Sequence, residues 1–245
     1  MKRLAILSAI LTSAAFADIQ STSTTPAKEN PHQISAGVDA FWQRLKTRSY
    51  TDNGAFIGSR FSYQYIKPDA LYFGLEAMLA EGRVKTEYEP RFDFWSWSYH
   101  KKPNAHFTSY WLNTETRMGY AFQLSASSIT PFIGFGYTSW EPIKNQHYFM
   151  DWFYTTAGVR INQKLSDRVD FGLNTKINYA FKVKHHARRN FPGEKFWGYE
   201  VGVPVTLHVN EAKTHDIQLQ PYFQCVDIKS NFFNLGGRLD FIFRF

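Results

Sequence analysis

The sequence predicts an all-β fold: a transmembrane antiparallel up-and-down β-barrel of about ten strands, with eight or twelve as the alternatives. Three observations predict it. Apolar and polar residues alternate with a period of two through most of the 245 residues, which is the pattern of strands with two different faces. Aromatic residues make up 18% of the chain although the mean hydropathy is −0.39. The alternating runs also reach the ~9–11 residues that a strand needs to cross a bilayer.

The beginning of the chain has the features of a secretory signal peptide. Lys2 and Arg3 precede a short apolar stretch that ends in an A-x-A cleavage site at Ala17. This stretch is shorter than the ~20 residues of a spanning helix, so we expect cleavage and export through the secretory pathway. The predicted domains are a cleaved signal peptide (1–17), a flexible periplasmic leader rich in Ser, Thr and Pro (18–31), and an outer-membrane barrel (32–245).

The alternation is clearest in VDFGLNTKINYAFKV, residues 169–183, and it returns in residues 197–209. The same interpretation predicts ten strands near 33–43, 54–66, 70–82, 106–122, 130–140, 149–162, 168–183, 196–209, 215–226 and 233–245. Short turns alternate with longer connections such as 83–105 and 184–195. An even strand count with short turns on one side is typical of bacterial outer-membrane barrels. It places both chain ends on the periplasmic side.

The segment NLGGRLDFIFRF at the end of the chain resembles the C-terminal strand of bacterial outer-membrane proteins, which ends in Phe after alternating apolar residues. In that family the strand is the recognition signal for the barrel-assembly machinery. The resemblance therefore implies an assembly signal at Leu239, Phe241, Phe243 and Phe245. It also implies an integral protein of the bacterial outer membrane.

A second resemblance is local. TPFIGFGYTSW, residues 130–140, is similar to the P-[FY]-x-G-x-G segment of small barrels of the OmpA, OmpX and OmpW type. Here Gly134 and Gly136 are expected to face the lumen and make room for bulkier neighbours. The similarity covers about ten residues, and ten strands depart from the eight of those families. No function is carried over from it.

The strand faces predict which charged residues lie in the lumen. A soluble barrel of the lipocalin type also alternates, with its apolar face inward, but aromatic rings near strand ends and the turn asymmetry favour the inverted arrangement. The polar face then carries seven acids and seven bases: Asp39, Arg60, Glu76, Glu115, Arg117, Arg160, Asp170, Lys176, Lys182, Glu200, Asp216, Arg238, Asp240 and Arg244. Balanced charge in a narrow lumen predicts a salt-bridged plug, and a narrow channel for small solutes is the alternative.

The longer loops carry much of the basic charge of a chain whose formal net charge is +7. The run KHHARR predicts an extracellular polyanion-binding surface at Lys184, His185, His186, Arg188 and Arg189. Its expected partners are outer-membrane lipid, lipopolysaccharide phosphates and acidic host or surface glycans, and nucleic acid is not expected for an exported protein. Ordinary solvated loop charge is the alternative interpretation.

An enzyme at the outer rim is a further alternative, either an omptin-like protease or a lipid A-modifying enzyme. Omptin-type barrels place acids and an Asp–His pair at this rim, where the present chain has His100, His106, His147, His185, His186, Glu87, Asp93, Glu141 and Asp151. The sequence has no omptin motif, no H-E-x-x-H and no G-x-S-x-G, so no catalytic residue, metal or cofactor is assigned. The leading hypothesis is a non-enzymatic, monomeric barrel that presents basic and aromatic loops for surface interaction or envelope structure.

Overall fold

The structure is a computed structural model that describes residues 31–47, 50–89, 91–93, 98–100, 103–124, 126–142, 150–185, 195–227 and 231–245. For residues 91–93, 98–100, 142 and 182–185 it describes the backbone alone. The predicted signal peptide (1–17), and all of the predicted leader except Pro31, lie outside the described residues. No helix in the described part of the chain is long and apolar enough to cross a membrane.

Ten antiparallel strands form a closed barrel, which confirms the predicted fold class and strand count. The strands are β1 (His32–Lys46), β2 (Tyr50–Ile66), β3 (Ala70–Tyr88), β4 (Ala105–Leu124), β5 (Ser127–Pro142), β6 (Met150–Lys164), β7 (Val169–His185), β8 (Phe196–Gly202 and Val205–His208), β9 (His215–Asp227) and β10 (Phe232–Arg244). Each strand pairs with its sequence neighbours, and β10 pairs with β1 from Arg244–Gln33 to Phe232–Leu45. Closure leaves no long sheet edge among these strands.

The two ends of the barrel differ in their connections. At one end, the turn end, short connections join β2 to β3, β4 to β5, β6 to β7 and β8 to β9. At the other end, the loop end, the connection from β3 to β4 contains a hairpin of two three-residue strands, Arg91–Asp93 and Ser98–His100.

Several strands extend further toward the loop end than the alternation predicts. Strand β3 continues to Tyr88, although a loop was expected from residue 83. Strand β7 continues to His185, so the prediction that Lys184 and His185 are loop residues is wrong. The physical reason is that the ladder between β6 and β7 continues, with Lys184 opposite Asp151 and His185 opposite Met150.

The middle of β8 is interrupted near Pro204 without a change of register. Gly202 lies opposite Tyr222 before the interruption, and Val205 lies opposite Leu219 after it. Proline has no N–H to donate to a ladder. The Pro204 carbonyl still accepts a hydrogen bond from the Gly172 amide at 2.8 Å, which keeps the second half of β8 attached to β7.

The barrel wall is apolar on its outer face and largely polar on its inner face. Ile57 and Leu71 on the outer face are 65% and 72% exposed, whereas Asp39 and Glu115 on the inner face are 0% and 1% exposed. A soluble protein would expose the carboxylates and bury the aliphatic side chains. The lipocalin-type arrangement is therefore excluded, and the outer face has the chemistry that a lipid environment requires.

Candidate functional site

The centre of the lumen contains a closed ring of eight charged side chains, which we call the charge ring. It alternates four acids with four bases, and every member is within salt-bridge distance of two members of opposite charge. The contacts are Arg60–Asp39 (3.4 Å), Arg60–Glu76, Arg117–Glu76 (3.2 Å), Arg117–Glu115, Lys176–Glu115 (2.7 Å), Lys176–Glu200 (3.4 Å), Arg238–Glu200 (2.7 Å) and Arg238–Asp39 (3.2 Å).

The charge ring joins strands that are far apart around the barrel. Lys176 on β7 reaches Glu115 on β4, and Arg238 on β10 reaches Glu200 on β8. The charged side chains are nearly inaccessible to solvent. Counting side-chain atoms alone, Asp39 and Glu115 are 0% exposed. Buried charges are costly unless they are paired and hydrogen-bonded, and the closed alternation gives each of them two partners. The ring therefore closes the lumen with no net charge.

Two tyrosine side chains each cross a glycine of the intervening strand and donate a hydrogen bond to a carboxylate of the charge ring. The Tyr154 hydroxyl on β6 donates to Glu115 Oε2 on β4 at 2.8 Å. The strand between them carries Gly136, directly opposite both residues, and a Cβ there would overlap the Tyr154 ring. The missing side chain thus lets the tyrosine reach across β5, as the sequence predicted for a lumen-facing Gly136.

The second tyrosine bridge lies on the opposite side of the barrel. The Tyr222 hydroxyl on β9 donates to Asp39 Oδ1 on β1 at 2.8 Å. Its ring crosses Gly236 on β10, where a Cβ would lie 2.9 Å from the ring. The Arg238 guanidinium stacks on the same ring, 3.9 Å from its centroid. Each tyrosine hydroxyl therefore orients one carboxylate of the charge ring from the loop side.

On the loop side of the charge ring, inward-facing aromatic side chains fill the lumen. This aromatic layer consists of Phe41, Phe56, Trp111, Trp140, Trp152, Phe196 and Phe232, all less than 8% exposed. Trp111 is its hub, with edge-to-face contacts to Phe41 (6.0 Å), Trp152 (5.7 Å) and Phe232 (5.9 Å). Such contacts are favourable ring geometries, and the layer separates the charge ring from the loop end.

On the turn side of the charge ring lies a polar cavity with about 40 Å³ of space for the centres of water molecules. Roughly 10–15 Å³ of such space holds one water, so the cavity has room for about three. Gln33 and Gln64 in its wall lie within two residues of the turn-end limits of β1 and β2. The cavity therefore extends to the turn end, while the charge ring closes it on the other side.

A second polar cluster joins β7, β8, β9 and β10 at the turn end. His208 is buried between two carboxylates, with Nδ1 2.6 Å from Asp216 Oδ1 and Nε2 3.0 Å from Asp170 Oδ2. Arg244 Nη1 lies 2.6 Å from the other Asp216 oxygen. Both imidazole nitrogens therefore contact a carboxylate. Among the described residues, no group of three or more His, Cys, Asp or Glu side chains could hold a metal ion.

The structure brings most of the predicted lumen residues into three groups. The charge ring contains eight of them, the turn-end cluster contains Asp170, Asp216 and Arg244, and Arg160 and Asp240 line the cavity. The Lys182 side chain lies outside the described residues, as do those of Lys184 and His185. His186, Arg188 and Arg189 are wholly outside them.

The predicted assembly residues lie on the outer face of β10 or just beyond it. Leu239, Phe241 and Phe245 are exposed there, and Phe243 pairs with Ile34 of β1. Of the rim histidines and acids, His106 and Glu141 are exposed, and Asp151 accepts a hydrogen bond from the Tyr137 hydroxyl at 3.0 Å. The side chains of Asp93, His100 and His147 lie outside the described residues.

The sequence interpretation missed the aromatic layer and His208. The aromatic layer has a sequence signal, because alternation gives way to adjacent apolar pairs near the loop end. Examples are Phe41-Trp42, Phe196-Trp197 and Phe232-Phe233, in which the first residue faces inward and the second outward. His208 lies on the polar face of β8 directly opposite Asp216, but it was not counted among the charges.

No protein-family model matches the sequence, and no curated protein matches it. Solved structures do resemble the chain. The translocator domain of the autotransporter NalP from Neisseria meningitidis has a TM-score of 0.52 at 12% identity, covering 100% of this chain and 94% of that one. The transport unit of the autotransporter AIDA-I from Escherichia coli has a TM-score of 0.51 at 9% identity, covering 97% and 98%. The chain thus has the fold of bacterial outer-membrane β-barrels.

Proposed function

We propose that this protein is a closed, non-enzymatic outer-membrane barrel that anchors its loop-end segments for surface interaction or envelope structure. One observation carries the proposal: the charge ring and the aromatic layer fill successive levels of the lumen. An ion crossing the barrel would have to separate paired buried charges and then enter an apolar layer, and both steps are costly. Such a lumen is suited to rigidity and not to transport.

Conductance distinguishes this function from the alternative of a narrow channel. The refolded full-length protein in planar bilayers should show no discrete conductance steps at either polarity. An open porin refolded in the same detergent serves as the positive control for insertion. Reproducible single-channel steps from the unsubstituted protein would contradict the closed scaffold and favour the channel.

Export and membrane location rest on the signal peptide prediction and on the apolar outer face. We expect the mature protein to begin at Asp18 and to fractionate with the outer membrane. N-terminal sequencing of the isolated protein tests the first expectation. Separation of inner and outer membranes followed by immunoblotting tests the second. Heated and unheated samples test the closed fold, because a closed membrane barrel should resist SDS and change its electrophoretic mobility on boiling.

The partner of the loop end is proposed to be a polyanion, bound by Lys184, His185, His186, Arg188 and Arg189. The triple variant Lys184→Gln/Arg188→Gln/Arg189→Gln should bind lipopolysaccharide and heparin more weakly at low salt, where surface charges are least screened. A matched variant, Lys67→Gln/Arg168→Gln/Lys213→Gln, removes three charges at the turn end and should bind as the unsubstituted protein does. Equal loss in both variants would show that net charge alone governs binding.

The β10 residues Leu239, Phe241, Phe243 and Phe245 are proposed as the signal for the barrel-assembly machinery. Phe245 also stacks on His32 with ring centroids 5.6 Å apart, so stability and recognition must be separated. Phe245→Ser should lower the folded fraction in cells more than it slows refolding of purified protein in detergent. An equal effect in both settings would argue for a structural role only.

A further inference from the structure

The polar cavity contains a cation that is paired differently from the cations of the charge ring. Arg160 lies on β6, is 9% exposed and lines the cavity. Each of the four ring bases contacts two carboxylates, whereas no described carboxylate lies within salt-bridge distance of Arg160. A guanidinium keeps its charge in a protein, and a buried charge needs a counter-charge or strong hydrogen bonds. Among the described residues, Arg160 is therefore a cation in a polar space that no carboxylate contacts directly.

The neighbours of Arg160 hold it in place without neutralising it. Its Nη1 donates to Gln64 Oε1 and lies 3.3 Å from the Tyr72 hydroxyl. Its guanidinium carbon lies 5.7 Å from the centroid of the Tyr72 ring. Its Nε is buried and has no hydrogen-bond partner. A positioned guanidinium with an unused N–H donor is a suitable ligand for an anion.

Besides Arg160, the cavity wall contains six residues of the charge ring and Asp240. Asp240, which likewise has no described basic partner within salt-bridge distance, lies on β10 opposite Gly37, and Gly37 lies opposite Arg60 on β2. Gln64, which fixes the Arg160 guanidinium, is four residues further toward the turn end along β2. Arg160 and Asp240 each lie four residues from the turn-end limit of their strands, and the hydrogen bond to Gln64 holds the Arg160 guanidinium on the β2 side of the cavity.

We propose that Arg160 binds a small inorganic anion, the size of chloride or bromide, on the Gln64 side of the cavity. The available space, about three waters, admits such an ion and excludes larger carboxylates or phosphorylated metabolites. Arg160 supplies the charge, and the Gln64 amide, whose oxygen already accepts from Arg160, supplies a neutral donor. The charge ring stops the ion from passing further, so this is a binding site and not a conduction step.

Thermal unfolding of the refolded full-length protein in detergent tests the proposal. Sodium bromide should raise the unfolding midpoint relative to sodium gluconate at equal ionic strength, because gluconate is too large for the cavity. A ligand at ten times its dissociation constant stabilises by RT ln 11, which for a chain of this size corresponds to about 3–6 °C. Arg160→Gln should abolish the difference, and Arg168→Gln, in an exposed turn, should preserve it.

A second expectation concerns the stability of the Arg160→Gln variant without bromide. In gluconate it should be at least as stable as the unsubstituted protein, because it removes a buried charge that no described carboxylate contacts. Bromide anomalous diffraction from crystals of the unsubstituted protein provides an independent readout, even if the variant does not fold, and should place an ion beside Arg160. Thermal unfolding would overturn the proposal if bromide caused no shift of the midpoint or if the shift survived Arg160→Gln. Diffraction would overturn it if bromide were found only at the protein surface.

Discussion

The two levels of the lumen are filled by opposite chemistry. In the aromatic layer each side chain gains from burial and from contact with other rings, and large aromatic side chains bury about 150–250 Å² each. In the charge ring burial itself is unfavourable, and the ring is stable only because every charge has two partners. The aromatic layer is stabilised by the removal of apolar area from water. The charge ring is stabilised by the pairing of every charge with opposite charges.

This difference predicts how the two levels fail. Removing one member of the aromatic layer leaves a cavity, and the loss is confined to the contacts of that side chain. Removing one member of the charge ring leaves a partner with an unmatched charge in a space of low dielectric. The aromatic layer also shields the charge ring from water at the loop end, which strengthens the pairing beneath it. The two levels therefore support each other.

The largest effect is expected from unbalancing the charge ring. Glu115→Gln removes the carboxylate that contacts Arg117, Lys176 and the Tyr154 hydroxyl. It should lower the free energy of unfolding by about 3–5 kcal/mol, the usual cost of breaking a buried ion pair from one side. Urea unfolding of the refolded barrel, followed by circular dichroism, measures the loss.

Two controls decide whether charge balance is the cause. Glu87→Gln removes a carboxylate from a half-exposed pair with Lys85, and such a pair contributes less than about 1 kcal/mol. Adding Lys176→Met to Glu115→Gln restores balance, because the charge ring then contains three acids and three bases, and each keeps at least one partner. The double variant should recover part of the stability. A further loss equal to the sum of the two single losses would show that balance is not what matters.

The next effect tests the aromatic layer. Trp111→Ala removes the hub of three edge-to-face contacts and should cost about 3–5 kcal/mol, as is usual for truncation of a buried large aromatic residue. Trp197→Ala changes the same residue type on the outer face, where it is 54% exposed, and should cost clearly less. Trp111→Ala should remain non-conducting in planar bilayers because the charge ring below it is intact. Conductance steps in this variant would show that the layer alone seals the lumen.

The fold and the inward orientation of the charge-ring residues could be predicted from the sequence because both depend on the period-two alternation, but which eight of the fourteen predicted lumen charges form the ring could not. Alternation assigns each residue to the inner or the outer face of the barrel, and all inner-face residues share the same lumen. The pairing within the ring could not be predicted. Lys176 and Glu115 lie on strands that are not neighbours, and their contact depends on how the strands are staggered around the closed barrel.

The aromatic layer shows that assigning a residue to a face is not enough. The lumen was expected to be polar, so Phe41, Phe196 and Phe232, which alternation places on the inner face, had no assigned role. Their outward-facing neighbours Trp42, Trp197 and Phe233 already continue the apolar outer face, and the adjacent pair therefore marks a lumen that is apolar at that level. In a chain with a strict alternating pattern, two consecutive large apolar residues predict a plug residue next to a lipid-facing one.

A smaller effect is expected at the junction of the two levels. Tyr154→Phe keeps the aromatic side chain, which belongs to the same buried cluster as the aromatic layer. It removes only the hydroxyl that donates to Glu115. A hydrogen bond to a charged group contributes about 1.5–3 kcal/mol, so the variant should lose that much stability, less than Glu115→Gln. In the Glu115→Gln background the same change should cost less than it does alone. Equal costs in both backgrounds would mean that the Tyr154 hydroxyl does not act through the carboxylate.

The smallest effect concerns the gap that lets Tyr154 cross β5. Gly136→Ala would place a methyl group inside the Tyr154 ring, so the ring, whose hydroxyl is within hydrogen-bonding reach of Glu115, must shift, at a cost of about 1–3 kcal/mol for overpacking. Gly237→Ala is the matched control, since a Cβ there meets no atom within 4 Å and its backbone φ is not positive. That variant should be neutral or more stable by up to about 1 kcal/mol, because alanine restricts the unfolded chain. If both variants lose the same stability, the cost comes from adding a side chain to any strand glycine, and the tyrosine crossing contributes nothing of its own.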